Sequence, residues 1–192
     1  MLASGRLPDS AHSAYPWAIH AVAPDFALED VWALPVTAGP DDFPQVVDRF
    51  CALDAERGGP PAVRALWAIR WKLGALLGWD GDDAGVGSRV ATLRDRVPAG
   101  LRDTASARSR AFAHLPFDPL YETRDEFAAE IANATMHGVM HLGWVPAGDG
   151  TFSAQMAVLV KPNGVKGKAY MSAIRPFRRL VVYPALMKRA AQ

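Results

Sequence analysis

The chain has 192 residues, 50% of them apolar, and carries 21 Lys and Arg against 20 Asp and Glu. This length and composition suit one packed domain with a substantial core and exclude a disordered chain. The near-neutral total conceals a segregation: residues 161–192 hold eight basic side chains and no acidic one, leaving 13 basic against 20 acidic in residues 1–160. A tail at +8 thus faces a body at −7, and it is the first place to look for an interaction.

Cys51 is the single cysteine, so an intrachain disulfide and a thiolate zinc site are both excluded, which fits a reducing, cytoplasmic compartment. No hydrophobic stretch precedes Trp17, and no apolar run reaches 18 residues, so neither a signal peptide nor a spanning helix is expected. Neither common glycine-rich phosphate loop is present, and no cofactor is expected.

Residues 1–15 read as a flexible lead, with a single domain over 16–192. Between Pro16 and Pro35 lie two apolar runs, WAIHAV and LEDVWALPV, separated by the Pro24–Asp25 turn signal; the second reads as a strand. After the Gly39–Pro40 turn, Asp41 or Asp42 is placed to cap a helix that starts near Phe43, with Pro44 in its first turn. The span 61–79 has the clearest helical period: Val63, Leu66, Ile69, Leu73 and Leu77 share one side, and Arg70 falls inside that stripe. A guanidinium there must pair with a carboxylate, reach solvent or anchor an anionic ligand. Residues 86–112, with six Arg, give no clear element.

After Leu115 the texture changes to short strands. FDPLYET, FAAEIANAT, MHGVMHLGWV and TFSAQMAVLV are separated by Arg124–Asp125, by a weak break near Thr135 and by the Pro146 to Gly150 hairpin signal, which predicts an antiparallel meander. From Gly167 to Arg189 the spacing of Tyr170, Ile174, Phe177 and Val181 predicts a helix kinked or broken at Pro176 and Pro184; a strand over RRLVVYP is the rival.

The run LVKPNGVKGKAYMSAIRPFRRLVVYPALM, with HGVMHLGWVP and AVRALWAIRWKLG before it, resembles the bacterial family called domain of unknown function 2867, placed among the START-like, Bet v 1-like helix-grip proteins. The likeness covers Leu28 to about Met187 and is carried most specifically by Gly167, Tyr170, Ile174, Pro176 and Phe177. It implies an α+β helix-grip fold, a curved antiparallel sheet around a long C-terminal helix with a cavity between them. Members often have His where Arg178 stands and near Lys161, so chemistry resting on those His residues is not carried over to this chain.

The candidate sites follow. His137 and His141 on a strand point the same way about 13 Å apart at ~3.3 Å per residue, too far for one metal, so no metal is expected and each is read as a hydrogen-bonded or a single catalytic His. Glu122, Asp125, Glu126 and Glu130 supply carboxylates nearby; the simplest expectation is solvent-facing groups at strand ends, and Glu130 lies on the face opposite Phe127 and Ala129. His137, Glu130 and His141 are the candidates for proton-transfer chemistry. For ligand binding the candidates are Arg70, Tyr170, Trp144, Met140, Lys161, Asn163 and Arg178, with Trp32, Leu66 and Met156 as further apolar walls. Lys161, Lys166, Lys168, Arg175, Arg178 and Arg179 either line the mouth of a cavity or balance the acidic body.

These readings lead to binding of a small, mostly apolar molecule with a polar or anionic end in the helix-grip cavity. The alternatives are a cyclase- or hydratase-like enzyme using His and a carboxylate in the same pocket, and a non-catalytic interaction module. The partner expected is a small hydrophobic or amphipathic molecule, not nucleic acid, because the aromatics of the tail are spaced for burial. A homodimer stays open.

Overall fold

The computed structural model describes residues 5–52, 85–102, 110, 112–113, 115–177, 179–180 and 184. Six strands form one sheet: β1 Gly5–Leu7, β2 Ala27–Ala38, β3 Asp118–Glu122, β4 Glu126–Ala132, β5 Met136–Gly148 and β6 Thr151–Pro162. Their order is β1-β2-β6-β5-β4-β3, and every neighbouring pair is antiparallel. The expected meander β3 to β6 is therefore present, extended on one side by β2 and β1.

The turns of this meander have identifiable causes. Gly148, Asp149 and Gly150 all take positive φ between β5 and β6, as the hairpin signal requires. Between β4 and β5 the Asn133 Oδ1 accepts from the Thr135 and Met136 amides and from the Thr135 hydroxyl, so one side chain replaces the ladder where the chain reverses.

Alternation along the strands gives the sheet two buried faces. Trp32 and Leu34 of β2, Phe127 and Ala129 of β4, Met140, Leu142 and Trp144 of β5, and Ala154 and Met156 of β6 share one face with Phe43, Val46, Val47 and Phe50 of the helix α3, Phe43–Cys51. Val31, Ala128, Val139, Ala157 and Leu159 point the other way. They are covered by Trp17, Ile19 and Val22, from the segment holding the short helices α1 Ser10–Ser13 and α2 Ile19–Val22, and by Leu93 and Val97, at a 3-10 turn (Leu93–Arg96) that precedes α4 (Ala99–Arg102). A sheet covered on both faces explains why β5 and β6 read as nearly continuous apolar runs rather than clean alternation.

Several expectations are corrected. The flexible lead does not hold from Gly5 onward: β1 pairs with β2, and His12 of α1 is in the core at 1% exposure. Its polar composition reflects an edge strand and a buried histidine, not an unstructured arm. Asp42 stands at the N-cap of α3, but its carboxylate accepts from the Gly39 amide and does not cap the helix; Pro44 lies in the first turn as expected. The C-terminal helix α5 spans Gly164–Phe177, starting three residues earlier than the spacing suggested and containing Pro176. Arg179 and Leu180 lie in a π-type helical turn, not a strand. The sheet is open, with β1 and β3 at its edges, so the α+β architecture with an antiparallel sheet stands and closure around a helix is absent among the described residues. The helix expected over 61–79, with Leu66 and Arg70, lies outside the described residues.

The entry into α5 depends on one close approach. Asn163 donates its amide to the Thr135 carbonyl, and its side-chain Nδ2 to the Asn133 carbonyl. Gly167 then passes so near the Thr135 carbonyl that an added Cβ would meet the oxygen at 2.1 Å. Gly167→Ala is expected to destabilise the protein by about 1–3 kcal/mol, as overpacking against backbone does. Gly100→Ala, with nothing within 4 Å of the new methyl and a helical setting, is expected to be neutral or stabilising. Urea unfolding of the two variants beside the parent checks both.

Candidate functional site

The face of the sheet under α1, α2 and the 93–96 turn carries an unusual load of buried polar groups. Strand alternation places Glu126 and Glu130 of β4 beside His137 and His141 of β5 on that face. The register pairs Ala128 with His141 and Ala132 with His137, so each glutamate sits diagonally across from one histidine, with the same offset in both cases. His141 Nε2 lies 3.0 Å from Glu126 Oε2, and His137 Nε2 lies 2.8 Å from Glu130 Oε2. The expectation of solvent-facing carboxylates is thus corrected for both glutamates: Glu126 is 6% exposed and Glu130 1%. Glu122 is buried too and receives Arg110 through two hydrogen bonds, while Asp125 is exposed.

The two dyads are alike in construction and differ in how they end. Glu130 is closed off: Thr92 donates its hydroxyl to Oε1, and the Leu93 amide donates to Oε2 at 3.0 Å. These bonds fix the 3-10 turn onto the sheet, with Thr92 also capping it. This dyad ties the covering segment to the sheet.

Glu126 starts a chain that stays open. Its carboxylate accepts from the Tyr121 hydroxyl at 3.0 Å, from the Ala18 amide at 2.9 Å and from His141. Burial alone would raise its pKa, but the bonds from His141, Ala18 and Tyr121 outweigh that and hold it below the usual carboxylate range. The same holds for Glu130, where His137, Thr92 and Leu93 supply the donors. A carboxylate only accepts, so His141 must present Nε2–H to it. Burial keeps His141 below its ordinary pKa and hence neutral, which leaves Nδ1 as a lone pair. His12 Nε2 lies 3.1 Å from that lone pair and must donate to it. His12 is itself pushed down to about 3, by burial and by the neighbouring His141 and His20, so its Nδ1 is also a bare lone pair. One carboxylate thereby sets the tautomers of two histidines in succession.

At the end of this chain the hydrogen bonding is incomplete. His12 Nδ1, Trp17 Nε1, His20 Nε2 and, on β6, Gln155 Oε1 are buried with no hydrogen-bond partner among the described residues. The first three belong to one aromatic cluster: ring centroids are 4.9 Å apart for His12 and His20, 6.4 Å for His12 and Trp17, and 5.3 Å for Trp17 and His141. The Trp17 ring lies over Gly143, where a Cβ would meet it at 2.7 Å. Gly143 pairs with Gln155 on one side and Glu126 on the other, so glycine leaves the space that lets the indole lie between them.

The other candidates lie elsewhere. Met140 and Trp144 share the opposite face with Trp32 and Met156, as walls on one side would, but they are packed against α3 and cannot line a site with His137 or His141. Trp144 donates its Nε1–H to the Gly39 carbonyl. Lys161 donates to Asp25, whose carboxyl is held well below its usual range by Lys161 and Arg96. Arg175 pairs with Glu29, and Arg179 with the buried Asp30, which Arg6 also approaches. These tail cations balance acidic groups of residues 25–30. Asn163 makes the turn into α5. Tyr170 lies within α5, but its side chain is outside the described residues, as are Arg70 and Arg178. Cys51 is buried in α3, its thiol pushed up to about 12 by burial and by Glu122 nearby. His12, Trp17, His20, Tyr121 and Gln155 were not picked out by the sequence; the paired four-residue spacings Glu126 to Glu130 and His137 to His141 were its only signal of the dyads.

The site has a defined response to acid. His12 and His141 have lowered pKa values in the fold, so between about pH 3 and 6.5 the unfolded chain binds more protons than the folded one. Glu126 and Glu130, also lowered, act in the same direction below 4.5. Stability is therefore expected to fall as pH drops below 6.5, by about 1.4 kcal/mol per pH unit for each such histidine between pH 6 and 4. Urea midpoints measured from pH 7 to 4 check this, and His12→Gln is expected to flatten the dependence by about one proton. Glu130→Ala, which strips the closed dyad and leaves Thr92 and Leu93 without their acceptor, is expected to cost about 3–5 kcal/mol.

No helix among the described residues is long and apolar enough to cross a membrane. No curated protein and no solved structure shows significant similarity to the chain. A family model does match, over residues 22–185, and its description is Protein of unknown function (DUF2867). With the greater part of its length covered by that match, the chain belongs to the DUF2867 family.

Proposed function

We propose that the chain binds a small, mostly apolar molecule whose polar end docks under α1 and α2, at the open end of the Glu126–His141–His12 chain. One observation carries this reading: His12, Trp17, His20 and Gln155 each bury a polar atom that no group among the described residues satisfies. An unmade hydrogen bond in the interior costs about 1–3 kcal/mol, so groups of this kind in a native fold are ordinarily completed by a bound molecule or by water. The neighbouring surface supplies the apolar part, since Val22, Val31, Tyr15 and Val145 belong to the same cluster. The reading needs no helix-grip closure of the sheet. A cytoplasmic setting goes with it, consistent with Cys51 as a free thiol.

The tautomer chain favours a second reading, proton transfer on the bound molecule in the manner of a cyclase or hydratase, with His12 Nδ1 as the group that takes the proton. Glu126 and His141 would then serve as positioning residues that keep the lone pair facing outward. The interaction-module reading has less support. Among the described residues, Val165 and Leu180 are the exposed large hydrophobics, two side chains fifteen positions apart in the sequence.

Native mass spectrometry of the full chain as isolated, followed by denaturing extraction, tests the binding reading. A small molecule is expected to travel with the protein and to be lost in His12→Phe. An empty chain, with water as the sole partner of the Trp17 indole N–H by nuclear magnetic resonance, would overturn it. If a molecule is found, deuterium uptake from solvent into it separates catalysis from carriage: uptake abolished by Glu126→Gln supports proton transfer, and no uptake removes that reading.

A further inference from the structure

We infer that the polar end accepted by this site is uncharged and carries a hydrogen-bond donor and an acceptor together, as a hydroxyl or a primary carboxamide does; this rests on the binding reading above. The unmatched atoms specify it. His12 Nδ1 and Gln155 Oε1 are acceptors that require a donor, while Trp17 Nε1–H is a donor that requires an acceptor. His20 Nε2 serves either purpose, because its tautomer is not imposed by the chain.

A carboxylate fits poorly. It could accept from Trp17 but would set its charge against the His12 lone pair and the Gln155 carbonyl. Among the described residues no lysine or arginine is paired with Glu126; its partners are a tyrosine hydroxyl, a backbone amide and a neutral histidine. An ammonium fits poorly for a different reason. It would satisfy the two acceptors but face the Trp17 N–H, and Glu126 is separated from His12 Nδ1 by two histidine rings, so the cation would be buried without a carboxylate in direct contact. A neutral head satisfies both kinds of atom and adds no charge to a desolvated place. The anionic end expected from the stripe position of Arg70 is not what this face of the sheet would select.

Four six-carbon probes with one chain and different heads test this on the full-length protein at pH 7: 1-hexanol, hexanamide, hexanoate and hexylammonium. Affinities come from calorimetry, and the Trp17 indole N–H signal reports on the site. Hexanol and hexanamide are expected to shift that signal and to bind at least tenfold more tightly than the two ions. Trp17→Phe should weaken both neutral probes. Because that variant alters packing over Gly143, Gln155→Leu is the second: it should keep or raise stability while weakening hexanamide more than hexanol. Hexanoate or hexylammonium binding as tightly as hexanol, with the indole signal shifted, overturns the choice of head and leaves ligand binding standing. No binding by any of the four, with the indole signal unmoved, overturns the binding reading and this inference with it.

Discussion

Two carboxylates buried on one face of an antiparallel sheet govern much of this structure. An ionised glutamate removed from water persists only if donors surround it, and β4 places two of them four residues apart where, among the described residues, no lysine or arginine pairs with them. The donors come from two sources. One is the neighbouring strands, through Tyr121, His137 and His141; the other is chain outside the sheet, through Ala18, Thr92 and Leu93. The glutamates therefore act as docking points that decide which segments cover this face. The apolar contacts of Trp17, Ile19, Leu93 and Val97 then complete the layer.

The same constraint produces an asymmetry between the two glutamates. Around Glu130 the donors are sufficient and the arrangement ends there. Around Glu126 the third donor is a histidine whose second nitrogen must find its own partner, and that partner is another histidine. The requirement is passed outward until it reaches His12 Nδ1, where no group among the described residues answers it. A buried polar chain that stops short of completion is expensive in a low-dielectric interior, and such places are where ligands, waters and reacting groups are commonly held.

Electrostatics at the far end of the sheet follow a plainer logic. The basic tail and the acidic body, separated along the chain, meet through Lys161 with Asp25, Arg175 with Glu29, and Arg179 with Asp30. The exposed members of this set contribute little stability each, since water screens them. Asp30 is fully buried and shared with Arg6, so it ties Arg179 to β2.

Much of the fold was legible from local pattern. Strand alternation from Phe117 onward, the Pro146 to Gly150 turn and the Pro44 helix start each depend on a few adjacent residues, and each appears where the pattern put it. Glu130 was likewise assigned correctly to the face opposite Phe127 and Ala129, because side chains alternate across any strand. Register was not legible. That His141 meets Glu126 while His137 meets Glu130 follows from pairing Ala128 with His141, which is set by the Asn133 turn and by packing on both faces together. Nor was the burial of His12, since a histidine in a short polar N-terminal segment carries no periodic signal. It enters the core through a hydrogen bond to a residue 129 positions away. Composition and short-range spacing thus fixed which elements form and which way their side chains point, because these rest on backbone geometry repeated every two or few residues. The partners of the buried polar groups were set by long-range assembly, because a hydrogen bond in the interior depends on which distant segment is folded over it.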